Sequence, residues 1–460
     1  MKAQVLYIED KVRKAELELT SLGDFRYRPG TSIDARTLLH QPHVSLYCLD
    51  DQHGQAVFTE AAPGVDVSRG PFMYRTQYST AQRLLTVDYG TFHDLADAAG
   101  DRFQSLIPMY TVGRCGGTVL SRAMSRLDHV LSLDEPDVYN SIVLLRARNG
   151  RRDAELVRLL RSSTRLLHNP PPGKNPDTLF LKFRAFPIEV GDLMHKAFPQ
   201  ARNLFLYRNA EAWLRSAGRL AQSVLETPDA SATLGSFTKF IRRMDASRQS
   251  PTARAKGEKN KDGRGAALSE IEQAMRCTPL VPAYIKRTLR RRLGVFGLAR
   301  LGLLAAGQKV PILRDRLQDP LEFVHPHISA IPSIKLLALL WLSTMHRYLA
   351  LHAQGIPILA IRYETLVSNS RSALEAVFDY CGLPREQVSV AVGAFGEDSQ
   401  KDTLLARDRL RVQDSDLAPD LLLQLHEILA EHPPTVTADF IAPNSLELPF
   451  TRGVSVGTAG

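Results

Sequence analysis

The sequence contains few cysteines: the four in its 460 residues are Cys48, Cys115, Cys277 and Cys381. They lie far apart and form no Cys-x-x-Cys pair, which argues against a structural zinc site and favours reduced thiols. Long apolar runs are also missing, since the most apolar stretch, Leu336–Leu342, is far shorter than the roughly 20 residues of a membrane-spanning helix. The first residues, MKAQVLYIEDKVRKAE, are charged throughout and predict no signal peptide. Together these absences predict a cytoplasmic protein.

The formal net charge of +9 favours anionic partners. A small anionic ligand, nucleic acid and an anionic membrane would each suit this charge, so the charge alone identifies none of them. A chain of this length can bury a large core and is expected to hold more than one domain.

One segment, residues 106–123, reads LIPMYTVGRCGGTVLSRA and predicts an apolar strand, a glycine-rich turn and a helix. The backbone amides of residues 115–118 would point at an anion bound at the positive end of that helix. Thr118 can add a hydroxyl donor and Arg114 a forked cation. Three glycines would let the backbone turn sharply and approach the anion closely: Gly113, Gly116 and Gly117.

This turn lacks the Gly-Lys-Ser/Thr of nucleotide hydrolases, in which the lysine reaches the outer phosphates and the hydroxyl holds magnesium. The sequence therefore predicts a phosphate-binding loop without a metal site.

A second segment, residues 203–219, predicts the strand Leu204–Tyr207, with Arg208 at its carboxyl end and Ser216 on the following helix. Ligands of open parallel sheets lie beyond the carboxyl ends of the strands. Arg208 and Ser216 are therefore expected to converge on one anion. Two further strands are predicted: Thr178–Arg184, with Lys182 near its end, and Ile356–Tyr363.

At these residues the chain resembles the PAPS-dependent sulfotransferases. These enzymes move a sulfuryl group from phosphoadenosine phosphosulfate (PAPS) to a hydroxyl or amine and release phosphoadenosine phosphate (PAP). The family's first loop is matched by residues 113–118, and its strand followed by Arg-Asn and a later serine is matched by Arg208-Asn209 and Ser216. Its late Tyr-Glu-x-Leu is matched by residues 363–366.

The resemblance implies an α/β fold with a P-loop-type parallel β-sheet flanked by helices, PAPS as co-substrate and no metal requirement. It covers residues 105–220 and 335–410. Two positions depart from the family pattern: Cys115 replaces a serine, and Gly117 replaces a hydroxyl residue. Each departure replaces a hydroxyl side chain, which affects one or two of the family's side-chain contacts to phosphate.

Sulfuryl transfer needs less charge neutralisation than phosphoryl transfer, because the transferred group carries one negative charge. Arginine or lysine side chains can provide this neutralisation. In-line transfer needs a group that holds the oxygens of the transferred group (the clamp), a group that stabilises charge on the leaving oxygen, and a base. The resemblance implies Arg114 as the clamp and Lys182 as the stabiliser. Many family members have a histidine where this chain has Arg184, which cannot accept a proton. Other branches use a glutamate after the first helix, which implies Glu135 as the base.

Glu135 also has a simpler interpretation. Pro136 suits the first position of a helix, so Glu135 is predicted at a helix start. Asp134 and Glu135 could then only cap that helix and complement its dipole. If Glu135 is not the base, His325 and His327 are the next candidates.

The donor site is predicted to include further residues. Tyr363 could contact the adenine, and Ser399 with Arg407 lies where the family places a late loop over the ribose phosphate. Arg122 could join the site or face solvent. The thiol of Cys115 is expected to have a lowered pKa at a helix N-terminus, but direct transfer needs no covalent step. The predicted donor-binding residues are Gly113, Arg114, Cys115, Gly116, Gly117, Thr118, Arg208, Ser216, Tyr363 and Ser399.

The chain is predicted to have four parts. Residues 1–100 form an N-terminal α+β module for packing or oligomerisation, with a hairpin of Val44–Leu49 and Ala56–Thr59 and a helix over Thr91–Ala99. Within the insertion, the basic and apolar residues 284–306 form a solvated helix, an acceptor lid or a membrane-surface helix. The other parts are a sulfotransferase-like core of 101–221 and 333–412, a helical or flexible insertion of 222–332, and a C-terminal tail of 413–460.

The leading hypothesis is a sulfotransferase that acts on a hydroxyl or amine of a small molecule, lipid or glycan and does not bind nucleic acid. The alternatives are a non-enzymatic anion- or nucleotide-binding protein on the same fold and a P-loop kinase or hydrolase. The sequence predicts neither the acceptor nor the oligomeric state.

Overall fold

Two five-stranded sheets, one antiparallel and one parallel, form the framework of the protein. The computed structural model describes residues 1–13, 18–70, 72–146, 150–171, 173–225, 333–397, 419–433, 435 and 437–448. The predicted α/β class is confirmed: helices flank the parallel sheet, and the antiparallel sheet precedes it in the chain. Some predicted features lie outside the described residues: the insertion from 226 to 332 with its segment 284–306, His325, His327, Ser399 and Arg407.

The antiparallel sheet is built from the first 100 residues, in the strand order β2-β1-β5-β4-β3. The predicted hairpin is confirmed as β3 and β4. The predicted helix begins at Tyr89 rather than Thr91, because Asp88 caps it by accepting a hydrogen bond from the backbone N–H of Thr91 at 2.9 Å. The elements are β1 (Lys2–Lys11), β2 (Phe25–Asp34), β3 (Val44–Asp50), β4 (Gln55–Glu60), α1 (Met73–Thr80), β5 (Arg83–Asp88) and α2 (Tyr89–Ala99).

The parallel sheet has the order β10-β9-β6-β8-β7, so the strand that precedes the glycine-rich turn is central. Its strands are almost continuously apolar, as expected for parallel strands covered on both faces. They are β6 (Ser105–Thr111), β7 (Val130–Asp134), β8 (Thr178–Lys182), β9 (Asn203–Tyr207) and β10 (Ile358–Arg362). After β7 at one edge, β8 lies between β7 and β6, and β9 lies on the other side of β6. The turn after β6 is therefore located between the ends of β8 and β9.

Helices connect and cover these strands. They are α3 (Gly117–Ser125), α4 (Val138–Leu145), α5 (Asp153–Leu167), α6 (Gly191–Ala197), α7 (Ala210–Leu225), α8 (Ser333–Ala353), α9 (Tyr363–Ser368), α10 (Ser370–Cys381), α11 (Val388–Val392) and α12 (Pro419–Ala430). One apolar core is continuous across both sheets, so the N-terminal sheet packs directly on the parallel one. Among the described residues, no helix combines the length and apolarity that a membrane crossing requires.

A buried charge cluster ties α8 to α6. Asp192 accepts hydrogen bonds from both Arg146, at 2.7 and 2.6 Å, and Arg347, at 2.5 Å. Burial disfavours the charged carboxylate, but the two guanidinium groups outweigh it and lower the pKa of Asp192 to about 2. Because each charge in this cluster has a partner of opposite sign, its role is structural.

The C-terminal residues 437–448 return to the parallel sheet and run along β10. The backbone N–H of Leu446 donates to the carbonyl of Ala360 at 2.8 Å, and the N–H of Ala360 donates to the carbonyl of Asn444 at 3.0 Å. The side chain of Ser445 lies 2.7 Å from the hydroxyl of Tyr207. The predicted helix of the tail is confirmed as α12, and the segment after it covers the outer edge of β10.

Candidate functional site

The turn after β6 has the left-handed backbone that its glycines allow. The φ angles are +77° at Gly113, +53° at Arg114 and +83° at Gly116, which precedes the first residue of α3. A left-handed conformation costs a non-glycine residue roughly 1–2 kcal/mol. Strain of this kind clusters at functional sites. The described residues include three non-glycine positions with positive φ, and two of them, Arg114 and Glu135, are predicted catalytic residues.

Two side chains from outside the turn, at the ends of other strands, lie close to its glycines. A Cβ atom on Gly116 would lie 3.1 Å from the ring of Tyr363, and one on Gly117 would lie 3.3 Å from Cε of Lys182. Both distances are shorter than an ordinary van der Waals contact, so glycine is needed at these positions to let the side chains approach. The lysine that the turn itself lacks is therefore supplied from β8.

Arg208 and Ser216, which were predicted to converge, both contact Arg114 of the turn. Nε of Arg114 donates to Oγ of Ser216 at 3.2 Å, and Nη1 of Arg208 donates to the carbonyl of Arg114 at 3.3 Å. Burial, together with the like charges of Arg208 and Arg219, lowers the pKa of Arg114. An anion bound beside these like charges would stabilise the charged form of Arg114.

Arg208 is held by Tyr363, the residue that follows β10. The guanidinium carbon lies 4.4 Å from the ring centroid, which is a cation–π distance. Its Nε is buried and has no hydrogen-bond partner within the described ranges. The nearest carboxylate oxygen, on Glu364, is 3.9 Å away. A buried donor without an acceptor fits a site that takes an anionic ligand.

Lys182 lies between the turn and two carboxylates. Its Nζ is 2.7 Å from Oδ1 of Asp134 and hydrogen-bonded to Glu135. Asp134 and Lys182 are register partners on the neighbouring parallel strands β7 and β8, which places their side chains together. Burial by itself would lower the pKa of Lys182, but the two carboxylates outweigh it and raise that pKa above its ordinary value.

Glu135 is not at a helix start, so that prediction and the helix-capping alternative for Asp134 and Glu135 are wrong. The helix α4 begins at Val138, with Asp137 in the capping position. Glu135 instead lies in the link between β7 and α4, with φ of +58° and its backbone N–H donating to the carbonyl of Lys182 at 2.8 Å. The left-handed backbone of Glu135 is not the extended conformation typical of a residue that caps a helix, so the helix does not begin at Pro136.

Cys115 turns its side chain away from the outer face of the loop. The thiol lies 2.8 Å from Oγ1 of Thr111 and donates to the carbonyl of Leu206 at 3.4 Å. Burial raises its pKa to about 11, so the expected lowering of this pKa is wrong. The thiol is therefore inert, and only the backbone amide of Cys115 is available to a ligand.

The remaining predicted residues also have definite places. Thr118 is buried in the first turn of α3. Arg122, on the same helix, is half-buried and close enough to favour the charged form of Asp134, which lowers the pKa of that carboxyl against the effect of burial. The residues gathered at the carboxyl ends of the parallel strands are Gly113, Arg114, Gly116, Gly117, Thr118, Glu135, Lys182, Arg208, Ser216 and Tyr363.

Two aromatic residues at the start of α1 also lie against this site, which the sequence did not indicate. The ring of Phe72 lies 5.6 Å from Nζ of Lys182, and the ring of Tyr74 lies 4.9 Å from the guanidinium of Arg184. Arg184 in turn donates to Asp137 at 3.0 Å. Asp134 was also missed as a member of the site, although its place at the end of a strand beside Glu135 could have indicated it.

A separate cavity of about 180 Å³ lies between the two sheets. Its mostly apolar wall includes Val44 of β3 and Leu131 and Leu133 of β7. Successive side chains of a strand point to opposite faces, so Leu133 and Asp134 lie on different sides of β7. The cavity is therefore behind β7 as seen from Lys182 and does not belong to this site.

In the described part of the chain, no three His, Cys, Asp or Glu side chains are grouped so that they could hold a metal ion. No protein-family model matches the sequence, and no curated protein is significantly similar to it. The interpretation of the site therefore depends on its own residues and their geometry.

Proposed function

We propose that this protein is a cytoplasmic sulfotransferase with a P-loop-type core, which transfers the sulfuryl group of PAPS to a hydroxyl or amine. The observation that supports this most strongly is the Lys182–Glu135 pair set against a left-handed glycine turn. A cation and a carboxylate beside an anion-binding turn are the groups that sulfuryl transfer needs. The strained backbone at Arg114 and Glu135 adds support, because such strain is retained where function requires it.

Each group has a role in the proposed reaction. The amides of residues 115–118, at the N-terminus of α3, and the hydroxyl of Thr118 would bind the 5′-phosphosulfate. Arg114 would hold the non-bridging sulfuryl oxygens, and Lys182 would stabilise charge on the bridging oxygen as its bond to sulfur breaks. Glu135 would accept the proton from the acceptor hydroxyl or amine.

The 3′-phosphate would be bound by Arg208 and Ser216. The orphaned Nε of Arg208 provides one donor, and the hydroxyl of Ser216 lies beside the same group of cations. Tyr363 would hold the guanidinium of Arg208 in place through its ring. The two anion sites would thus suit a nucleotide with phosphates at both the 5′ and 3′ positions.

PAP is expected to bind the purified protein and raise its melting temperature without added metal. Adenosine monophosphate, which lacks the 3′-phosphate, should bind more weakly because it leaves Arg208 without an anion. Titration calorimetry with both nucleotides, in the presence and absence of EDTA, measures this difference. Equal affinities would contradict the assignment of Arg208, and an absence of PAP binding would contradict the proposed function.

The variant Arg208→Ala should weaken PAP binding by about 1.5–3 kcal/mol, or about 10- to 150-fold, because a charge-assisted contact to phosphate is lost. Binding of adenosine monophosphate should change less. Arg165→Ala is a matched control, since Arg165 pairs with Asp97 and Asp101 away from the turn. An Arg208→Ala protein that binds both nucleotides like the parent would move the 3′-phosphate site elsewhere.

A nucleotide-binding protein without transfer activity is the second candidate. It is favoured by the loop itself, where Cys115 and Gly117 offer no hydroxyl and the thiol faces inward. An acceptor screen with radiolabelled PAPS separates the two functions, since this candidate would bind PAP but label no acceptor. Magnesium-dependent turnover of ATP would instead support a kinase or hydrolase that uses Lys182 as its phosphate-binding lysine.

A further inference from the structure

Two carboxylates of unequal environment share the single ammonium of Lys182. Asp134 lies 2.7 Å from its Nζ with a side chain 6% exposed, whereas Glu135 contacts the same nitrogen with a side chain 14% exposed. Within this trio there are two negative charges and one positive charge. Lys182 of this trio lies directly against Gly117, where the proposed function places the anionic end of the nucleotide.

The surrounding charges act differently on the two carboxylates. The second oxygen of Glu135 lies 4.0 Å from Nε of Arg184, so a second cation faces this carboxylate. Arg184 is itself paired with Asp137 and lies against the ring of Tyr74. Apart from Lys182 and Glu135, the main charge acting on Asp134 is the half-buried Arg122 of α3. Asp134 is therefore the more deeply buried of the two carboxylates.

We propose that Asp134 takes up a proton from solvent when the phosphate group of the nucleotide binds, while Glu135 stays ionised and able to act as the base. This inference rests on the proposed function, because it needs an anion at the turn. An anion beside two carboxylates raises the free energy of their charged forms, and protonation of one of them relieves this repulsion. The neutral carboxyl of Asp134 then releases part of its hold on Lys182, whose ammonium is free to turn toward the bound anion.

The ionisation of Asp134 in the protein without nucleotide agrees with this division of roles. Burial raises the pKa of Asp134; Lys182 opposes this shift, and Glu135 adds to it. A carboxyl whose pKa is already raised needs only a modest further increase to become protonated near neutral pH. Neighbouring carboxylates in unequal environments are a known arrangement in which one serves as the acid and the other as the base.

Coupling between PAP binding and protonation of Asp134 makes the affinity for PAP depend on pH. If PAP binding raises the pKa of Asp134, the complex binds more protons than the free protein, so affinity falls as pH rises through the interval between the two pKa values. The fall cannot exceed about tenfold per pH unit for one proton. The phosphates of PAP complete their own titration near pH 6 and so contribute little above pH 7.5.

Calorimetric titration of PAP at pH 7.5 in HEPES and in Tris measures the proton uptake, because the observed enthalpy then depends on the ionisation enthalpy of the buffer. We expect an uptake of up to one proton for the parent protein and for Asp101→Asn, in which a surface aspartate paired with Arg165 is neutralised. Asp134→Asn should bind PAP with no uptake and with an affinity that no longer falls between pH 7.5 and 8.5. A thermal melt of each variant checks that it is folded.

The outcomes separate the two proposals. PAP binding without proton uptake by the parent protein, or uptake that persists in Asp134→Asn, overturns the role of Asp134 and leaves the proposed function standing. An absence of PAP binding by the parent removes the proposed function and this inference with it. The pH dependence of the parent's affinity needs no variant, so the test remains decisive if Asp134→Asn fails to fold.

Discussion

Replacement of Glu135 by glutamine is expected to lower the rate of sulfuryl transfer by about 10²–10⁴-fold, the usual contribution of a general base. Glutamine keeps the size of the side chain but cannot accept a proton. Because Glu135 lies outside α4, this substitution removes no helix cap. Lys182 keeps Asp134 as a partner at 2.7 Å, so the loss of stability should be smaller than when Lys182 itself is removed. Initial rates with radiolabelled PAPS and an acceptor from the screen, together with thermal melts, measure both effects.

Glu60→Gln is a suitable control for this substitution. Glu60 is 13% exposed and pairs with Arg83, whereas Glu135 is 14% exposed and pairs with Lys182. The two glutamates thus match in burial and in having a cationic partner, but Glu60 lies in the antiparallel sheet. The parental rate in Glu135→Gln would remove Glu135 as the base and pass that role to the next candidates, His325 and His327.

Replacement of Lys182 by alanine is expected to lower turnover by about 10²–10³-fold, since its partner oxygens gain charge only in the transition state. The affinity for PAP should change much less. The structure adds a complication, because alanine leaves Asp134 and Glu135 without their cation. Removal of one partner from a buried ion pair costs about 3–5 kcal/mol of stability.

A pair of variants separates catalysis from this loss of stability. The double variant Asp134→Asn with Lys182→Ala removes one of the unpaired carboxylates, and Asp134→Asn alone serves as its reference. The ratio of their turnover numbers, measured well below their melting temperatures, gives the contribution of Lys182. A ratio near one would show that another residue stabilises the leaving oxygen and that the proposed alignment of β8 with the family is wrong.

Much of the site could be predicted because it depends on strand ends. The apolar runs that became β6, β8 and β9 end at Thr111, Lys182 and Tyr207, and parallel strands bring their carboxyl ends to one edge. Arg208 and Ser216 are therefore brought to the same place, where both contact Arg114. The place of each of these three residues in the fold is determined by its distance in sequence from the end of a strand.

Other features could not be predicted, since they depend on contacts between distant segments. Pro136 suggested a helix start, but the link from β7 to α4 is set by the left-handed backbone of Glu135 and its bond to the carbonyl of Lys182. The inward turn of Cys115 follows from the hydroxyl of Thr111 and the carbonyl of Leu206 beneath it. The expectation that a helix N-terminus lowers the pKa of a thiol considers only the electric field of the helix. It does not consider the direction in which the side chain points.

The N-terminal sheet shows the same limit of local patterns. In β1, charged residues interrupt the alternation of apolar and polar residues that would indicate a strand. They occur there because β1 forms a largely exposed ribbon with β2. No local signal links Phe72 to Lys182, which is far away in sequence and lies at the end of a strand in the other sheet. Such contacts arise only when the two sheets pack on a shared core.

The segment that runs along β10 determines how the parallel sheet can meet other molecules. A bare outermost strand presents a row of unpaired backbone donors and acceptors to which another chain can add. Here residues 444–446 occupy those groups on β10, and the turn Val67–Arg69 packs beside β7 at the opposite border. At β10, strand addition by another chain would therefore first have to displace residues 444–446.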